Sequence, residues 1–286
     1  MNKLTVTQSF KDKLNRLPTN ARVGDLNYLG LDLPTYNGLP IVAIVGTRKP
    51  TPYGIAITKK IAEDLARAGV VIVSGLALGI NCIAHDSVLA VGGKTIAVSP
   101  AGLSKIYPAT NRLTGEKIIS TGTIISEYSS KLMPRKVEFL ERNRIIAAIT
   151  DLVIIPEAAK GSGSLNTASH AHKMNIPVCV VPGNATSPMS AGTNQLLKEY
   201  AHAITDAQDV LKLLGIKKSR EQLSLDLIGD TPQETIILQK IALGFSDADS
   251  LIQETLLNSV DFQTTLTMLE LQGKISQDSL GTWSLK

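Results

Sequence analysis

Cysteine is nearly absent from the 286 residues: Cys82 and Cys179 lie far apart, among apolar neighbours, with no CxxC pair. That excludes a disulfide scaffold and a cysteine metal centre, and both read as small core residues. Aromatic residues make up only 4% of the chain, four of them phenylalanine. No apolar run approaches the roughly 18 residues of a membrane helix. The longest, 70–80 (VVIVSGLALGI), is broken by Ser74, Gly75 and Gly79. The amino terminus, MNKLTVTQSFKDKLNR, has neither an apolar stretch nor a small-residue cleavage site. No secretory or targeting segment is expected, and the cytoplasm is the expected compartment. Of the four histidines, His85, His170, His172 and His202, the middle pair is two residues apart in a helical pattern and points to different sides. No metal site is expected from them.

Charge is unevenly distributed. Residues 41–221 carry 21 Lys and Arg against 13 Asp and Glu, a balance of +8, whereas 222–286 carry three lysines against nine acids, a balance of −6. A basic body and an acidic tail suggest two modules with different partners.

From residue 41 onward, short β-branched runs alternate with helical patterns. The runs are 41–45 (IVAIV), 70–73, 94–98, 123–126, 151–155 and 178–181, and they are apolar almost throughout, as strands covered on both faces should be. Helices are expected at 54–68, 80–90, about 110–120, 138–150 and 165–174. This is an α/β pattern, a doubly wound, mostly parallel sheet. A polar stretch, 215–230, reads as a linker. Beyond it, Thr231-Pro232 opens one helix, Ser246 caps a second, a third spans about 260–272, and turn chemistry at 278–281 closes a hairpin. Three helices and a hairpin make a small winged-helix domain. The expected organisation is therefore an extension (1–40), a sheet domain (41–214), the linker (215–230) and the winged helix (231–286).

Ligands of open parallel sheets bind beyond the carboxyl ends of the strands. Gly46-Thr47-Arg48 follows the first strand, Ser74-Gly75 the second, and Gly161-Ser162-Gly163-Ser164 opens a helix after the fifth. Small residues let the backbone approach a ligand, and the serines add donors, a composition suited to an anion. Each segment read singly could be an ordinary strand-to-helix turn. Dinucleotide binding is disfavoured because Asn166 stands where GxGxxG needs glycine. Gly93-Lys94-Thr95 is no P-loop, since Val88 replaces the required glycine and a strand follows. The nucleophile elbow GxSxG is absent around Ser162 and Ser164, and Glu157 alone, past a strand end, is weak grounds for a general base. Lys136, Phe139, Arg142 and Arg144 put an aromatic beside three cations, which suits single-stranded nucleic acid. The alternative is a core phenylalanine among solvated charges.

At these residues, from 41 to 214, the chain resembles the DNA-processing protein A family (DprA, also called Smf). The resemblance rests on VAIVGTRKPTPYG, VVIVSGLALGINCIAH, IYPATNRL, FLERNRIIAAI and LVIIPEAAKGSGSLNTASHA. It implies an extended Rossmann-like domain that binds single-stranded DNA without base specificity, forms a homodimer and helps load the RecA recombinase in transformation or recombination. It implies no enzymatic activity, no cofactor and no membrane partner. By resemblance, Arg48 sits in the family's glycine-serine-arginine turn with Thr47 for the serine. Lys136 and Phe139 match a phosphate contact and a base-stacking ring, Arg142 and Arg144 match the RNR core, and Gly161 to Ser164 match the GSGS loop. Leu140 and Glu141 depart from the proline and small residue usual after that phenylalanine, which sets a carboxylate beside the expected groove. Many relatives carry a helical amino-terminal domain for which forty residues are too few. The expected recognition helix of the winged module, SVDFQTTLTMLELQ, contains no Lys or Arg, so DNA binding there is not expected. The rival reading is a nucleotide phosphoribohydrolase of the lysine-decarboxylase-like type, whose PGGxGTxxE signature resembles 156–164 but needs a glutamate that does not follow here.

Overall fold

The computed structural model describes residues 2–3, 8–128, 131–216, 229–278 and 281–285. The chain divides into two compact units, Met1–Ile216 and Lys217–Lys286.

Among the described residues the first unit has nine strands: β1 (Asn2–Lys3), β2 (Asn27–Gly30), β3 (Ile41–Ile44), β4 (Val71–Gly75), β5 (Thr95–Val98), β6 (Thr123–Ser126), β7 (Leu152–Ile155), β8 (Val178–Val180) and β9 (His202–Ala203). Their order is β1-β2-β6-β5-β4-β3-β7-β8-β9. The seven from β6 to β9 are mutually parallel, with registers such as Val42 beside Ile72 and Leu152. The short β1–β2 ribbon runs antiparallel against β6. Strands β3 to β7 are buried along their whole length, which explains their unbroken apolar character.

Alternation along each strand sends side chains to two separate cores. Ile41, Ala43 and Val45 join one with Val71 and Val73, while Val42 and Ile44 join the other with Ile72. On the second face pack α2 (Pro52–Arg67), α3 (Ile80–Ala90) and α8 (Ala207–Leu213), through Ile61, Leu65, Ala84, Val88 and Val210. Helix α2 has the start its sequence signals, with Pro52 at its first turn and the Thr51 hydroxyl accepting from the Gly54 amide at 3.2 Å. The first face is covered by α5 (Lys136–Ala148) and α6 (Ser164–Lys173), with α7 (Ala191–Glu199) contributing Leu196. A smaller cluster sits under α4 (Arg112–Thr121).

Residues ahead of the parallel sheet belong to this same unit. Phe10 of α1 (Gln8–Leu14), Leu26, Leu33 and Tyr36 are buried in the first core. Lys13 pairs with Asp151 at 2.6 Å, and the Tyr36 hydroxyl lies 2.8 Å from the Thr123 hydroxyl. Burial pushes the Tyr36 phenol up to about 12. Neither β1 and β2 nor β9, α7 and α8 stood out in the sequence, because these strands (NK, NYLG and HA) carry no β-branched run and the two helices have fewer than ten residues.

The sheet's topology places the site. The chain runs outward from β3 through β4, β5 and β6, then returns to lay β7 on the other flank of β3. Connections after β3 and β7 therefore diverge and leave a crevice beyond their carboxyl ends.

The second unit has α9 (Pro232–Ala242), α10 (Ala248–Thr255), α11 (Ser259–Leu271) and an antiparallel hairpin of β10 (Ile275–Gln277) and β11 (Trp283–Leu285). This is the winged-helix arrangement, closed on Ile237, Leu251, Phe262, Leu266, Leu269 and Trp283. The cap of α10 is Asp247 rather than Ser246: its carboxylate accepts from the Ser250 amide at 2.8 Å and the Ser250 hydroxyl at 2.6 Å. Most of the expected linker, 217–228, lies outside the described residues. No helix among the described residues is long and apolar enough to cross a membrane.

Candidate nucleic-acid interface

The crevice holds a cavity of about 690 Å³ bounded by the loop after β3, the loop after β7 and the first turns of α5. Ten of the thirteen residues singled out in the sequence line it: Gly46, Thr47, Arg48, Lys136, Phe139, Arg142 and Gly161 to Ser164.

The β3 loop is held open by small residues. A side chain on Gly46 would come within 2.9 Å of the Glu157 carbonyl and 2.7 Å of Ile80. The Thr47 amide donates to the Glu157 carbonyl at 2.9 Å, and the Gly46 amide to Asn81 Oδ1 at 3.3 Å. These bonds fix the loop so that Arg48 projects into solvent at the cleft.

On the β7 side, Gly161 adopts φ +77°, the left-handed region that glycine enters without strain. The loop then turns into α6, whose amino terminus has no side-chain cap. Its first amides and the Ser162 and Ser164 hydroxyls, 2.9 Å apart, are donors suited to an anion. Asn143 ties this loop to α5: its Nδ2 donates to the Gly163 carbonyl at 3.2 Å and to Asn166 Oδ1 at 3.3 Å.

Phe139 is half-buried at the mouth. The Arg48 guanidinium carbon stands 5.1 Å from its ring centre, that of Arg142 at 6.0 Å, and Tyr107 approaches edge-on with centroids 6.0 Å apart. The ring is thus seated between cations and a second aromatic, as cation–π and edge-to-face preferences favour.

Arg142 differs from the solvated cation its sequence suggests. It is 3% exposed and donates to the Val98 carbonyl and to Asn143 Oδ1. Burial and the nearby Arg48 charge lower its pKa to about 10. It underlies the cleft as a fixed positive charge. Gly75 does not line the cleft but makes room for this guanidinium, since a side chain there would lie 2.5 Å from it. Ser74 is fully buried and donates to the Ile44 carbonyl at 2.6 Å. Both belong to β4, which runs on through Gly75, so the expected turn begins two residues later. Arg144 also lies outside the cleft, paired with Glu127 at 2.7 Å. Two residues along a helix is a rotation of about 200°, which sends Arg142 and Arg144 to opposite sides.

Lys160, Asn81, Asn143 and Asn166 also line the cleft, none of them expected there from the sequence. Lys160 is exposed directly before the GSGS loop, a position that could have marked it. Among the described residues no aspartate or glutamate lines the cavity. Glu141 is not beside it; its carboxylate accepts from the Tyr128 hydroxyl at 3.2 Å. Glu157 is 2% exposed and accepts from the Thr51 amide and hydroxyl at 2.8 and 2.7 Å, so it anchors the start of α2. His172 stacks on Tyr200 with centroids 3.9 Å apart, and burial foremost, with the charges of Lys173 and Arg144, lowers the His170 pKa. No group of His, Cys, Asp and Glu among the described residues is arranged to hold a metal ion.

A Rossmann-like sheet with a crevice at its switch point, lined by cations and, among the described residues, by no carboxylate, defines the class of α/β protein to which the chain belongs. Within that class, residues 13–215 match the family model for DNA recombination-mediator protein A, and the chain belongs to this family. It is 42% identical over 192 residues to Protein Smf of Synechocystis, covering 66% of this chain and 48% of that relative. It is 40% identical over 172 residues to DNA processing protein DprA of Streptococcus pneumoniae, covering 60% and 61%. The chain thus spans about half the length of the curated relatives it matches. Among solved structures, DNA processing protein A of Helicobacter pylori, described for its single-stranded DNA binding mode, superposes with a TM-score of 0.67 at 38% identity, covering 74% of this chain and 94% of that one. The S. pneumoniae DprA structure gives 0.67 at 35% identity, covering 73% and 72%.

Proposed function

We propose that the crevice binds a single strand of DNA without reading its sequence, and that the chain is a recombination mediator that helps place RecA recombinase on that strand during DNA uptake. The observation that carries this reading is the ring of Phe139 set among Arg48, Lys136, Lys160 and buried Arg142, with no carboxylate among the described lining residues. Exposed cations track phosphates, the α6 amino terminus and GSGS hydroxyls receive another phosphate oxygen, and Phe139 offers a base a stacking surface. None of these contacts requires a particular base. The H. pylori relative, described for its single-stranded DNA binding mode, supports the same ligand. A homodimer would set two such crevices on one strand and lengthen the footprint.

Labelled oligothymidine, titrated against duplex of equal length at two ionic strengths, tests the reading. Three phosphate contacts predict a log–log salt slope of about −2, roughly −0.7 for each contact on a single strand. Arg48→Ala or Lys136→Ala should lower affinity equally for several sequences. Equal binding at low and high salt would refute the assignment.

A further inference from the structure

In a winged-helix unit the helix of α11's position commonly faces the ligand, yet here it is unsuited to nucleic acid. Phe262, Leu266 and Leu269 fill the unit's core, which fixes the opposite side of α11 outward. That outer side is not polar. Val260 is 75% exposed, Met268 46% and Leu271 78%.

At about 100° per residue, Val260, Thr264, Thr267 and Leu271 fall within an arc of about 60°, and Met268 lies about 40° further round. Both threonines add to the apolar character. The Thr264 hydroxyl donates to the Val260 carbonyl at 2.8 Å and the Thr267 hydroxyl to the Gln263 carbonyl at 2.9 Å, leaving their methyl groups as the outward contact. Beyond the stripe, on its two sides, stand the carboxylates of Asp261 and Glu270, both exposed. The two lysines among the described residues of this unit are engaged elsewhere, Lys240 with Glu254 at 2.7 Å and Lys274 with Asp230 at 3.2 Å. In the turn leading into α11, Leu256 is 90% exposed at φ +55°, a left-handed position where glycine or asparagine would be unstrained.

An exposed apolar stripe flanked by carboxylates has a definite complement. DNA is repelled by it. A second copy of the same face would bring carboxylate against carboxylate. We propose that the outer face of α11 docks an amphipathic helix of another protein, one whose apolar stripe is flanked by lysine and arginine, in the helix-on-helix manner of groove recognition. The charged flanks set orientation and partner choice, while Val260, Leu271 and Met268 supply the buried contact.

Fluorescence anisotropy of the full chain with a labelled Leu/Lys amphipathic peptide of about 18 residues, and with a Leu/Glu peptide of the same leucine spacing, tests this at about 0.15 M salt. The Leu/Lys peptide should bind and the Leu/Glu peptide should not. The double variant V260S/L271S should weaken binding on the order of tenfold with an unchanged thermal melt, and Glu270→Lys should weaken it severalfold. Binding that ignores V260S/L271S would reduce the effect to bulk charge and overturn the proposal. So would a change in the sedimentation of the free chain in that variant, which would assign the face to a second copy, or a loss of oligothymidine affinity, which would assign it to DNA.

Discussion

Helices α5 and α11 are both thirteen residues long and begin almost alike, Lys-Val-Glu-Phe in one and Ser-Val-Asp-Phe in the other. Each has a carboxylate in its first turn, Glu138 and Asp261, and each places phenylalanine at its fourth position. Their phenylalanines nonetheless do opposite things. Phe139 stands half-buried at a cleft among cations, whereas Phe262 is wholly buried in the core of its unit. In α5 the buried side is formed by residues further on, Ile145, Ile146 and Ala147, because both sheet and crevice meet the helix, whereas α11 turns Phe262 into the apolar core of its own unit. A local pattern thus marks a helix start and leaves the role of its aromatic open.

Alanine substitution should separate the two most sharply. Phe262→Ala removes a ring from a small, fully packed core and should cost about 3–5 kcal/mol of the second unit's stability, seen as a lowered or lost calorimetric transition. Oligothymidine affinity should meanwhile change less than about twofold, since the proposed site lies wholly in the first unit. Phe139→Ala should do the reverse, losing ~1–3 kcal/mol of single-strand binding with little change in melting. If Phe139→Ala instead unfolds the protein, the ring is a core residue and the contrast between the helices is lost.

Acid should distinguish the units next, because all four histidines lie in the first. His85 is fully buried with Nδ1 2.7 Å from the Thr95 hydroxyl, and burial foremost, with the charge of Arg142, lowers its pKa to about 3. The unfolded chain therefore binds a proton near pH 6.5 that the folded chain refuses until about pH 3. Stability gained from neutral His85 is complete above that window and falls through it, by up to about 1.4 kcal/mol per pH unit. Chemical denaturation of His85→Gln between pH 7 and 4 should show a flatter decline than the parent.

The smallest expected effect concerns individual cations. Lys160→Ala should reduce the magnitude of the oligothymidine salt slope by about 0.7, and Arg144→Ala should leave it unchanged, since Arg144 is paired with Glu127 away from the cleft. A slope that shifts for Arg144 and not for Lys160 would move the interface to another face.

How far the sequence could be read follows from these cases. Six parallel strands were legible from 41 to 181 because strands buried on both faces must be apolar throughout, and short β-branched runs between helical stretches have few other readings. The antiparallel β1–β2 ribbon was not legible, since its strands, NK and NYLG, contain no β-branched run and β2 is not buried on both faces. At the site, the GSGS loop and Arg48 were legible as strand-end chemistry. Asn143 was not, because an asparagine between two arginines announces nothing until its amide is seen joining α5 to the Gly163 carbonyl.

Composition and periodicity by themselves determined the doubly wound sheet, the acidic three-helix unit and the placing of small and cationic residues past the strand ends, because burial and helical pitch write directly into residue order. Which arginine lies under the cleft, which one pairs with Glu127, and whether a phenylalanine meets solvent or core were decided only in three dimensions. Those outcomes depend on the rotation of a helix against its neighbours and on the crevice opened between β3 and β7, and neither has a local signature in the chain.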